Sequence, residues 1–89
     1  MSFESQISNF YEKLVVDDLA KRSELDSTEE GELIDIACVA LNQLPSRYYR
    51  YSVDMAFYLS APEIQRMEDE VNTAVSYAIT FVQKNKKAQ

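Results

Sequence analysis

The sequence predicts a small all-α domain of three to five helices, with room for one short strand within residues 47–58. Three observations carry that prediction. Apolar residues recur at intervals of three and four along three separate stretches, the spacing that gathers side chains on one face of a helix. The chain has one glycine and two prolines in 89 residues, too few for the turns of a β fold. Hydrophobic content is 46% and charged content 27%, the ordinary balance of a globular protein with a core for those faces to share.

The first stretch, residues 3–22, carries Phe3, Ile7, Phe10, Tyr11, Leu14, Val15 and Leu19 at steps of mostly three and four, with Glu4, Ser8, Glu12, Asp18 and Arg22 largely on the other side. That is an amphipathic core helix. Residues 23–32 are polar and acidic. Ser27 followed by Glu30 has capping-box spacing, and Glu29, Glu30 and Glu32 would sit at the positive end of a helix dipole. A second helix is expected from about Thr28 to Leu44, with Leu33, Ile36, Ala37, Ala40, Leu41 and Leu44 as its apolar stripe. Gly31 weakens its first turn and can shift the start by a residue or two. Cys38 reads as a small core hydrophobe. Pro45 disfavours helical geometry at the residue before it and ends the helix there.

The last helix opens at Ser60-Ala61-Pro62-Glu63, a second capping-box spacing with proline tolerated in the first turn. Ile64, Met67, Val71, Ala74, Val75, Ala78, Phe81 and Val82 keep to one face through residues 61–84, roughly 36 Å of helix. A helix of that length spans the whole fold or reaches out to a partner. One domain, residues 1–89, accounts for the chain. So short a chain buries only roughly 60–65% of its unfolded surface, which makes a homodimer the expected way to enlarge the core.

Composition excludes several chemistries. The net charge of −6 disfavours DNA and anionic membrane surfaces, which call for basic proteins. No apolar run approaches the ~20 residues of a membrane span, and Met1-Ser2-Phe3-Glu4 lacks the features of a signal peptide. With one cysteine no internal disulfide forms, so a cytoplasmic location is expected. There is no histidine, which removes the histidine-dependent catalytic triads and dyads and leaves no thiolate–imidazole cage for zinc. One glycine rules out a phosphate-cradling glycine loop. The carboxylates Glu68, Asp69 and Glu70 read as solvated helix surface. No enzyme activity, metal or cofactor is expected.

One segment stands apart from this acidic background. Residues 23–46 hold six acids and no base, whereas Arg47-Tyr48-Tyr49-Arg50-Tyr51 follows Pro45-Ser46 directly. Guanidinium forks meet phosphates bidentately and aromatic faces stack on bases. If the segment is extended, Arg47, Tyr49 and Tyr51 share one face, with Tyr48 and Arg50 on the other. Two readings fit: a grip for a small anionic nucleotide, or tyrosines packed on the helices with the arginines paired to Asp35 or Glu32.

A resemblance bears on that choice. Asn9-Phe10-Tyr11-Glu12-Lys13-Leu14-Val15, then Asp35-Ile36-Ala37-Cys38-Val39-Ala40-Leu41-Asn42-Gln43-Leu44-Pro45-Ser46-Arg47-Tyr48, then Tyr58, resemble the late competence development protein ComFB family. Its pattern is N-x-x-E-x-L-V at the start and D-I-x-A-L-A-L-N-x-L-P-P-R-Y at the centre. The likeness runs over about residues 7–82. It departs from the family where many members carry zinc-binding cysteines before the aspartate. Here that place reads Thr28-Glu29-Glu30-Gly31-Glu32-Leu33-Ile34, so zinc binding does not carry over. Ser46 also replaces the usual second proline.

The resemblance implies a mostly helical, dimeric, non-catalytic regulatory protein that senses a cyclic dinucleotide, cyclic di-GMP above all, and signals to an unidentified protein partner. It favours the ligand reading, with Arg47, Arg50, Tyr48, Tyr49, Asn42, Asn9 and Glu12 as candidate ligand-binding residues. Asp35 and Asn42 have an alternative role, hydrogen-bonding backbone at helix ends or across the dimer. The competing reading is a structural or protein-interaction homodimer without a small-molecule ligand.

Overall fold

The computed structural model describes residues 8–49 and 59–88. Its elements are a two-residue strand β1 (Ser8–Asn9), helix α1 (Phe10–Lys21), one turn of 3-10 helix (Ser23–Leu25), helix α2 (Glu30–Asn42), a two-residue strand β2 (Tyr48–Tyr49) and helix α3 (Ala61–Ala88). The three helices make it an all-α fold. The β pair is antiparallel, Ser8 opposite Tyr49 and Asn9 opposite Tyr48, and puts the short strand inside the expected window 47–58.

α3 is the backbone of the molecule. Its 28 residues measure about 42 Å at 1.5 Å per residue, against a longest molecular dimension of 43 Å. α1 and α2 pack against it and against each other. Met67, Val71, Ala74, Val75 and Ala78 supply its buried face, met by Phe10, Tyr11 and Val15 from α1 and by Ile36 and Ala40 from α2. Ile36, Val15, Val71 and Val75 are fully enclosed, each contributing about 1.5–3 kcal/mol relative to exposure. Ser60 caps α3 as expected. Its Oγ accepts from the Glu63 N–H at 3.3 Å and lies 3.1 Å from Glu63 Oε1, to which it donates.

Several boundaries differ from the sequence expectation. α1 begins at Phe10 rather than near residue 3, because Asn9 takes extended geometry and caps the helix; Phe3 and Ile7 lie outside the described residues. α2 begins at Glu30 rather than Thr28, and the Ser27–Glu30 capping box does not form: Glu29 stands at the cap without a side-chain bond. The cause is Leu25, buried to 5% exposure. To seat it, the chain winds through successive tight turns, Leu25 N–H to Arg22 C=O, Asp26 N–H to Ser23 C=O and Thr28 N–H to Leu25 C=O. Ser27 is held in that winding. α2 also ends at Asn42 rather than Leu44, since Gln43 and Leu44 bond back to Ala40 and Leu41, a tightened 3-10 exit ahead of Pro45.

Two core assignments are corrected. Cys38 is exposed: it lies two residues from both Ile36 and Ala40, about 200° around the helix from the buried stripe. Phe81 is 42% exposed; half-buried Val82 takes the place beside the core, and the Phe81 ring sits 5.8 Å from that of exposed Tyr77.

Candidate ligand site at the start of α1

Asn9 opens the site. As the cap of α1 its Oδ1 accepts from the Tyr11 N–H at 3.2 Å, satisfying one of the unpaired donors of a helix N-terminus. The same oxygen accepts from the Arg47 N–H at 2.9 Å, and the Phe10 N–H donates to the Arg47 carbonyl at 2.7 Å. Both backbone groups of Arg47 are therefore held by the first turn of α1. Pro45 turns the chain away from α2, and this clamp brings it against α1, with Tyr48 and Tyr49 entering the β pair. The clamp uses the N–H groups of Phe10 and Tyr11, so an anion held here would rely on side chains more than on the helix terminus. The Arg47 side chain is exposed.

Beneath the clamp lies Tyr11, buried to 3% exposure. Its hydroxyl donates to Glu70 Oε2 at 2.9 Å, while Arg66 Nε stands 3.8 Å from Glu70 Oε1. Burial, the bond to Glu70 and that carboxylate's charge raise the Tyr11 pKa above the ordinary 10.0, with Arg66 and Arg47 pulling it down. The cationic groups of α3 and of the Arg47 segment thus act on one buried phenol. Alongside, an open groove of about 660 Å³ runs past Leu44, Arg66, Glu70, Thr73 and Tyr77, within the size range of small-molecule sites.

A sequence model of the family described as late competence development protein ComFB matches residues 8–86, from β1 almost to the end of α3. The chain belongs to the ComFB family. No curated protein and no solved structure matches it.

The structure separates the residues of the ComFB motif by position. Asn9 is a cap and a clamp. Glu12 is exposed in the first turn of α1, and Asn42 is exposed at the last turn of α2. Arg47 is anchored at the clamp, with Tyr48 and Tyr49 extended beside it. Arg50 and Tyr51, with Tyr58, lie outside the described residues. Asp35 sits two turns before Asn42, in a different groove shared with Cys38, Val39 and Phe81.

Sequence reasoning missed Tyr11, Arg66 and Glu70. Glu70 is half-buried and bonded across to α1, whereas its neighbours Glu68 and Asp69 are exposed, with Asp69 bonded to Gln65 on its own helix. The available signals were weak: Glu70 borders Val71 on the apolar stripe and lies four residues after Arg66, the spacing of a helical ion pair. Among the described residues no three Cys, Asp or Glu side chains converge as a metal site would need, and no helix is long and apolar enough to cross a membrane.

Proposed function

We propose that this ComFB-family protein is a non-catalytic cytoplasmic regulator that binds a cyclic dinucleotide, cyclic di-GMP foremost, and passes the signal to a protein partner while working as a homodimer. The observation that carries this reading is the clamp on Arg47. Asn9 and Phe10 hold both of its backbone groups, so the basic–aromatic segment starts from a fixed point beside α1. An arginine whose backbone is already fixed loses less freedom when it meets a phosphate than one on a mobile loop. Tyrosines beside it supply stacking faces for bases. Family membership supports the same reading. Arg50 and Tyr51 continue the segment in sequence and join Arg47, Tyr48 and Tyr49 as proposed contacts.

Calorimetric titration with cyclic di-GMP tests the proposal. Arg47→Ala should weaken binding by about 1.5–3 kcal/mol, roughly ten- to a hundredfold, the size of a charge-assisted contact, with circular dichroism unchanged. Equal binding by the variant would move the site elsewhere. No heat and no thermal shift with any cyclic dinucleotide would overturn the sensor. A second reading, an interaction homodimer without a ligand, is favoured by the exposed Tyr77–Phe81 pair on α3, and that result would leave it standing.

A further inference from the structure

We infer that the groove between α1 and α2 is a docking site for a basic amphipathic helix of a protein partner. Val16 and Ile34 are 61% and 55% exposed, the most exposed large hydrophobic side chains among the described residues. They face the same groove, which Leu19 and Leu33 also line and into which buried Leu25 reaches. Isolated exposed apolar residues are commonplace, but here they gather in one groove between two helices, the form of surface that receives an amphipathic helix.

The rim says what kind of partner fits. Asp26 and Glu30 edge the groove, within an acidic run that includes Glu24, Glu29 and Glu32. The cation at this rim, Arg22, already bonds Asp18 at 2.6 Å and contacts Glu24 at 3.5 Å. A partner with lysines or arginines flanking its apolar anchors is therefore favoured, and an acidic one repelled. A second copy of this chain is the less favoured occupant. In a twofold contact the same patch meets itself, which sets one acidic rim of Asp26 and Glu30 against another. The walls are two helices with no open strand edge between them, so the fitting mode is a helix laid in a groove by anchors at i, i+3 or i+4, and i+7. The lining shares no residue with the groove past Arg66 and Glu70, so this surface is separate from the proposed nucleotide site.

Fluorescence anisotropy with a labelled leucine–lysine peptide tests the inference. In the probe the leucines fall on one helical face; in the control the same residues are reordered so that they do not. The whole chain should bind the patterned peptide and bind the control at least tenfold more weakly. Ile34→Asp should weaken binding tenfold or more and Asp26→Lys severalfold, while Tyr77→Ser leaves it unchanged. If Ile34→Asp proves unfolded by circular dichroism, Val16→Asp replaces it. Equal binding of patterned and control peptides overturns the inference, as does full binding by the folded Ile34 or Val16 variant. So does the absence of binding up to about 1 mM peptide. Sedimentation equilibrium provides the last arm: a homodimer that Ile34→Asp dissociates would make this face a contact between copies and overturn the basic-helix assignment.

Discussion

Asn9 satisfies two backbone donors from different parts of the chain with one side-chain oxygen, at 3.2 and 2.9 Å. Asn9→Ala removes a helix cap and leaves the Arg47 N–H without its acceptor, so it should destabilise the fold by about 1–3 kcal/mol in urea denaturation. Asn9→Asp keeps the acceptor, places negative charge at the helix N-terminus, and should recover most of that loss. At Tyr11 the consequence is a pH dependence. The folded chain holds the phenolic proton more tightly than the unfolded chain does. Stability from this group is therefore complete below about pH 10, the unfolded tyrosine pKa, and declines as pH rises through the folded-state value. Tyr11→Phe should cost about 1 kcal/mol at neutral pH. Its deficit against the native chain should shrink in melts taken above pH 10, and a deficit independent of alkaline pH would contradict the Tyr11–Glu70 bond.

At the scale of elements, the acidic stretch between α1 and α2 is where pattern and structure part. Ser27 and Glu30 have the spacing of a capping box, yet burial of Leu25 sets the path and α2 starts late. Gly31 then sits exposed in the first turn, with nothing within 4 Å of the position its Cβ would occupy and without a positive φ. Gly31→Ala should raise stability by about 0.5–1 kcal/mol, read as a higher denaturation midpoint at unchanged slope. The opposite end of the stretch is fastened by Arg22. Its guanidinium bonds Asp18 within α1 and reaches across to the Asn72 carbonyl at 3.1 Å and Ser76 Oγ at 3.2 Å on α3. An arginine on the polar side of an amphipathic helix gives no sequence sign of such a role, because its partners lie 50 and 54 residues away.

The described residues form a long helix with two shorter ones laid on it, and α3 is more exposed toward its far end. Tyr77 and Phe81 are 48% and 42% exposed there, and the adjoining groove is lined by Cys38, Val39 and Val82. A core of this size favours association, and this aromatic pair is the expected contact. Sedimentation equilibrium at micromolar concentration should give a species of twice the 10.3 kDa chain mass. Phe81→Asp should return it to the monomer with helical circular dichroism retained. A monomeric native chain would remove the homodimer, and a Phe81→Asp dimer would place the interface elsewhere.

What the sequence determined by itself is what periodicity and composition control. Three amphipathic stretches specify three helices, because an apolar stripe at steps of three and four has no other economical burial. Pro45 bounds α2 to within two residues of its end at Asn42, Ser60 with Glu63 specify the start of α3, and Ile36, Ala40, Met67, Val71 and Val75 the core. The motif from Asp35 to Tyr48 also marks the ComFB family. Tertiary structure decided what depends on distant partners. Phase alone leaves ambiguous which edge of a stripe is covered, so Phe81 emerges where Val82 packs; Cys38 lies opposite the stripe, and its apolar neighbours in sequence are no sign of burial there. Asn9 became a clamp only because Arg47 is folded back against it, 38 residues along the chain. Glu70 became part of a site only because α1 delivers the Tyr11 hydroxyl from 59 residues away. Local pattern sets the face of each element; the contacts between elements, each made across a long closed loop of chain, set the chemistry at the place where those faces meet.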